Sequence, residues 1–72
     1  MDFTQEEILA AYKKYFMLRA NIGKSDKKIA EEAEVCRETL SAWRTGKRMP
    51  SLPTLLKLAN FFNVKVTDFF AA

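Results

Sequence analysis

The chain has 72 residues, 49% of them hydrophobic and 29% charged, with a formal net charge of +3. That length allows one domain with a core near the lower limit for independent folding, and the composition excludes a disordered chain. Histidine is absent and Cys36 is the only cysteine, which excludes His-based acid–base catalysis, the commonest metal ligand and an intrachain disulfide.

The net charge alone says little about partners, but its distribution says more. Between Arg37 and Lys57 the cations Arg37, Arg44, Lys47, Arg48 and Lys57 face the single acid Glu38, whereas Asp2, Glu6, Glu7, Asp26, Glu31, Glu32 and Glu34 come earlier. A basic segment centred on an exposed helix is an electrostatic footprint for phosphates. The bland reading of the same charges is a solvated face.

In chain order, Thr4 and Glu7 have the spacing of a capping box, and Phe3 is placed to staple onto Ile8. The first helix is expected from Gln5 to about Ala20, with Ile8, Leu9, Tyr12, Tyr15, Phe16 and Arg19 as its inward stripe and Glu6, Glu7, Lys13 and Lys14 in water. Aromatics at helical spacing belong to a core rather than to a base-stacking platform. Asn21, Ile22 and Gly23 end the helix.

Ser25 to Gly46 is the organising stretch. Ser25 is a good N-cap, Ile29, Ala30 and Ala33 share one face of a helix over Asp26 to Ala33, and Leu40 and Trp43 share one face of a second over Arg37 to Thr45. Glu34, Val35 and Cys36 break the two apart, Val35 packs under Leu40, and Gly46 supplies a left-handed end. This is the anatomy of a helix-turn-helix. Trp43 follows Leu40 by three residues and so belongs to the core rather than to an exposed anchor.

Lys47, Arg48, Met49 and Pro50 form a basic loop, because proline disfavours helical geometry at Met49. Ser51 caps a fourth helix in which Pro53 is tolerated in the first turn, and Leu55, Leu58, Ala59 and Phe62 face inward. Asn63 is a left-handed C-cap, and a last short helix is expected around Thr67 to Ala71. Phe61, Phe62, Phe69 and Phe70 are more apolar surface than one small bundle buries, so Phe61, Phe69 and Phe70 are the expected dimer or partner surface.

No catalytic residue emerges, since no nucleophile sits with a base and no metal or phosphate loop is present; the chain is not expected to be an enzyme or to carry a cofactor or metal. Cys36 reads as a tolerated thiol, and the acids Glu31, Glu32 and Glu34 match no calcium loop. No apolar run spans a bilayer and no signal peptide opens the chain, so a cytoplasmic protein without membrane contact is expected.

Through Ser25, Ile29, Ala30, Val35, Leu40, Ser41, Gly46, Pro50, Ser51, Leu55, Leu58, Ala59 and Val64, the chain resembles the Cro and phage-repressor (XRE) helix-turn-helix family from about Asn21 to Phe70. The resemblance implies an all-α, five-helix, lambda-repressor-like domain over residues 1–72, with the helix-turn-helix at residues 25–46. It also implies a sequence-specific transcriptional regulator from a phage or other mobile element, acting in the host cytoplasm as a homodimer on double-stranded operator DNA. Carried over by position, Arg37, Glu38, Ser41 and Ala42 would face base edges. Ser25, Asp26, Thr45 and Lys47 would lie near the DNA backbone, with Arg48 close by.

Chemistry agrees with several of these roles. Arginine can bond guanine bidentately, glutamate can accept from a cytosine amino group, and alanine can touch a thymine methyl. Four residues depart from the family pattern. Glu34 replaces a glycine, Cys36 a Ser or Thr cap, and Asp26 a glutamine that meets a phosphate, where an acid would repel it. Arg44 replaces a glutamate that pairs with the arginine at position 19, leaving it to reach Glu31 or Glu34 or to turn toward DNA. These departures, with the phenylalanine surplus, keep a second function open: a helix-turn-helix protein that binds another regulator, such as a cognate repressor, as an anti-repressor or modulator.

Overall fold

The first helix, α1 (Gln5–Ile22), begins where the Thr4 hydroxyl accepts from the Glu7 N–H at 3.1 Å and Glu7 Oε1 accepts from the Thr4 N–H at 2.8 Å. This capping box satisfies two amides that the first turn leaves without intrahelical acceptors. Gly23, at φ 65°, closes the helix two residues beyond the expected end. The computed structural model describes residues 3–70.

After Gly23 come α2 (Asp26–Ala33), α3 (Arg37–Arg44), α4 (Leu52–Phe62) and a short 3-10 helix at Val66–Phe70. No strand occurs among the described residues. The expected five-helix count therefore needs correction: four α-helices are followed by one 3-10 turn, which begins earlier than expected. Its short span has no room for the successive i→i+4 bonds of an α-helix, and Asp68 instead bonds back to Lys65 through both backbone and side chain. Ala71, the expected end of that element, lies outside the described residues. No helix among them is long and apolar enough to cross a membrane.

The core gathers around Trp43. Its indole is fully buried, packs against Tyr12, Tyr15 and Phe69 with ring centroids 5.0 to 5.8 Å away, and donates from Nε1 to the Ile8 carbonyl at 3.0 Å. Ile29, Leu40, Leu58 and Tyr15 are equally hidden. Because Leu40 and Trp43 lie on one side of α3 and both have zero exposure, that side is fixed in the core, where α3 packs on α1 and α2, and the opposite side must face water.

Two expectations about burial are corrected. On α1, Leu9 and Phe16 remain 40% and 46% exposed, while the small Ala11 takes the inward place at 1%. Ala11 is three residues from Ile8 and four from Tyr15, so the close helix approach follows the narrower stripe Ile8, Ala11 and Tyr15. Phe69, expected on a partner surface, is 2% exposed because it closes the core against Trp43. Phe70 points the other way, 47% exposed and stacked on Phe3, and Phe61 is half-buried against Phe62.

Candidate nucleic-acid interface

Two residues in left-handed geometry shape the motif. Glu34 ends α2 at φ 58°, ψ 47°, its N–H bonded to the Ala30 carbonyl. No β-branched or larger L-residue enters this region without cost, and the motif's sharp reversal requires it. The Lys57 ammonium, from α4, donates to the Glu34 carbonyl at 3.2 Å and ties the turn to the rest of the bundle. At the far end of α3, Gly46 adopts φ +76° and lies against Gln5 and Leu9 of α1. α3 is thus held at both ends and along its buried side.

Its outer face carries the sequence-expected residues. Arg37, Glu38 and Ser41 are exposed and together line an open cleft of about 270 Å³. Ala42, grouped with them from the sequence, is half-buried and lines neither cleft on this face; its carbonyl accepts from the Lys47 N–H at 2.9 Å in the turn that ends α3. Cys36, the N-cap, makes no side-chain cap bond. Its thiol instead donates to Glu38 Oε2 at 3.0 Å. That bond, with a backbone N–H, holds the Glu38 carboxyl below the usual carboxylate range, so Glu38 is an anionic, acceptor-only group at neutral pH.

The expected backbone-contact residues form two groups. At the start of α2, Ser25 Oγ accepts from the Lys28 N–H at 3.2 Å and still has its own hydroxyl proton to donate. Beyond α3, Thr45 Oγ1 lies 3.2 Å from the carbonyls of both Ser41 and Ala42, while Lys47 and Arg48 are exposed and line a groove with Met49 and Pro50.

Asp26, expected near the DNA backbone, does not present a free carboxylate there. Its carboxylate turns inward, accepting from the Tyr15 hydroxyl at 2.8 Å and the Tyr12 hydroxyl at 3.4 Å, with Arg19 Nε 3.0 Å away. The Arg19–Asp26 contact is an ion pair by distance rather than an aligned hydrogen bond. The directed bond of Arg19 runs from Nη1 to the Lys24 carbonyl at 2.9 Å. Burial, then the hydrogen bond to Asp26, pushes the Tyr15 phenol far above its ordinary value, and burial with the Asp26 charge raises Tyr12.

Two residues left unassigned by the sequence reading belong to the same surface. Lys27 and Arg44 line a second cleft of about 200 Å³ together with Arg37, Ser41 and Asp26. Arg44 reaches neither Glu31 nor Glu34 in an ion pair among the described residues. Its place was legible in the spacing Arg37, Ser41 and Arg44, which is one stripe of a helix. Lys27 gave no such signal, since only the packing of α2 on α3 brings it there.

A helix-turn-helix family model matches residues 17–69. The chain belongs to the XRE-type helix-turn-helix family. Among its relatives, the uncharacterized HTH-type transcriptional regulator YgzD of Bacillus subtilis is 40% identical over 53 residues, covering 74% of this chain and 80% of its own. An uncharacterized HTH-type transcriptional regulator of Methanocaldococcus jannaschii is 39% identical over 57 residues, covering 79% of this chain and 83% of that protein. In fold, this member of the family is similar to the restriction-modification controller protein C.AhdI from Aeromonas hydrophila. The TM-score is 0.80 at 23% identity, covering 90% of this chain and 98% of that one.

Proposed function

We propose that this XRE-type chain is a sequence-specific DNA-binding transcriptional regulator that acts by occupying an operator. One observation carries the reading: α3 buries Leu40 and Trp43 completely and presents Arg37, Glu38 and Ser41 on the opposite, open face. A rigid helix with a bidentate donor, an anionic acceptor and a hydroxyl on its wet side is suited to the edges of bases in a major groove. Ala42 joins them at the margin of that face. Phosphate contacts come from Ser25, Thr45, Lys47 and Arg48, and from Asp26 through its first-turn N–H, since its carboxylate is engaged elsewhere.

Bound protein then excludes polymerase or a rival regulator. A homodimer on a pseudo-palindrome fits this mode, with Phe70 and Phe61 as the remaining partner-surface residues, in a cytoplasmic protein of a phage or mobile element. Exposed Phe16, Met17 and Ile22 on α1 support the second reading, in which the partner is another regulator.

A gel shift against the DNA flanking its own gene, with and without the adjacent regulator, tests both readings. For a DNA reader, affinity falls steeply with salt and Arg37→Ala loses the preference for the operator over scrambled duplex. Salt-insensitive binding, or a preference untouched by Arg37→Ala, would sink the first reading; capture of the regulator with no shift of DNA would establish the second.

A further inference from the structure

The cleft between α2 and α3 collects three cationic side chains, Lys27, Arg37 and Arg44, and one carboxylate, Asp26. Asp26 does not neutralise them. Its oxygens are taken by the Tyr15 hydroxyl at 2.8 Å and by Arg19 at 3.0 Å, on the side facing α1. Among the described residues no carboxylate lies within ion-pairing distance of Lys27, Arg37 or Arg44. Elsewhere α2 does pair its charges: Glu32 meets both Lys24 and Lys28.

Gathering three like charges without a counter-charge works against folding, through mutual repulsion at short range. An anion entering the cleft reverses the sign of that interaction. Ser41 adds a hydroxyl donor at the same place, and the open mouth admits a group still attached to a polymer.

We propose that this cleft seats one phosphate of the DNA backbone, held by Arg44 and Lys27, and that the inward Arg19–Asp26 pair is what releases Arg44 for the task. This rests on the reading of the chain as a duplex-binding protein. Arg44 presents a planar fork to two phosphate oxygens, Lys27 adds a point charge from the neighbouring helix, and Arg37 remains directed at bases. The start of α2 therefore carries a positive site, although its first residue is an acid.

Fluorescence anisotropy with a labelled duplex of arbitrary sequence tests this, because a phosphate contact is independent of sequence. Arg44→Ala is expected to flatten the slope of log affinity against log salt by about 0.9, the contribution of one phosphate. Lys27→Ala should flatten it in the same direction, and Arg44→Lys should restore most of the slope while leaving affinity below that of the wild type. Unchanged Trp43 fluorescence and a melting temperature no lower than that of the wild type in Arg44→Ala confirm that the exposed substitution has not unfolded the chain. If the wild type binds duplex and the slope is unchanged in both Arg44→Ala and Lys27→Ala, the phosphate seat is overturned alone. A wild type that binds no duplex overturns the DNA reading and this inference together.

Discussion

Arg19 and Asp26, on either side of the turn at Gly23, stand 3.0 Å apart and join the end of α1 to the start of α2. Their side chains keep 20% and 28% of their surface exposed, so the pair is neither a solvated surface contact nor a fully buried one. Asp26→Asn keeps the size of the side chain but removes the charge that Arg19 faces. Stability is expected to fall by about 1–2 kcal/mol, between the values for exposed and buried pairs, as read by urea denaturation. Arg19→Met combined with Asp26→Asn should fall short of the sum of the single effects.

Tyr15, buried and bonded to the same carboxylate, makes the fold sensitive to alkali. Tyr15 has an ordinary phenol value of 10.0 when unfolded and a raised one in the fold, from burial first and the Asp26 hydrogen bond second. The folded state therefore holds its proton more tightly than the unfolded state. Its stabilisation is complete below about pH 10 and declines as pH rises above that, toward the folded value. Denaturation midpoints measured from pH 8 to 11.5 should drop in the wild type, and Tyr15→Phe should show a shallower alkaline drop from a lower starting stability.

Glu34 pays a backbone penalty for the turn. At φ 58° the crowding of Cβ against the backbone costs about 1–2 kcal/mol, which glycine avoids, although its freer unfolded chain offsets part of that gain. Glu34→Gly is expected to gain about 0.5–1 kcal/mol, a rise of several degrees in melting temperature. The Lys57 hydrogen bond survives, since its acceptor is the backbone carbonyl.

The N-cap of α3 is unfilled, because the Cys36 thiol bonds to Glu38 rather than capping an amide. Cys36→Ser supplies an oxygen acceptor and should raise stability by about 1 kcal/mol in thermal or urea unfolding. Cys36→Ala should instead let the Glu38 carboxyl titrate higher, toward the usual range, as followed by carboxyl carbon NMR shifts; a Glu38 titration unmoved by that change would mean the thiol contributes nothing to it.

Gly46 reports on the seating of α3 against α1. A Cβ there would stand 2.9 Å from Gln5 Cγ and 3.1 Å from Leu9 Cγ, on a backbone at φ +76°. Gly46→Ala should lose at least about 1–2 kcal/mol from the left-handed backbone alone. Adding Leu9→Ala should recover the part due to crowding by Leu9, visible as a partial return of the urea midpoint relative to Leu9→Ala alone.

Most of the helix-turn-helix was determined by local sequence. The capping box at Thr4 and Glu7, the Ser25 cap, the left-handed ends at Gly46 and Asn63, and the shared face of Leu40 and Trp43 all depend on residues within a turn or two of one another, where helical spacing and backbone sterics act. The family resemblance was carried by the same short-range pattern.

What the sequence left open is decided by pairs that meet through space. Phe69 and Phe70 are chemically identical neighbours, and only the position of Trp43 decides that Phe69 is enclosed while Phe70 stays at the surface. Asp26 at a helix start reads as a solvated acid until α1 brings Tyr12, Tyr15 and Arg19 to it. Lys27 and Arg44 gain a shared cleft only when α2 packs on α3. Periodicity fixes which way a side chain leaves its own helix; the charge or ring it then meets belongs to another element, and only tertiary packing sets that meeting.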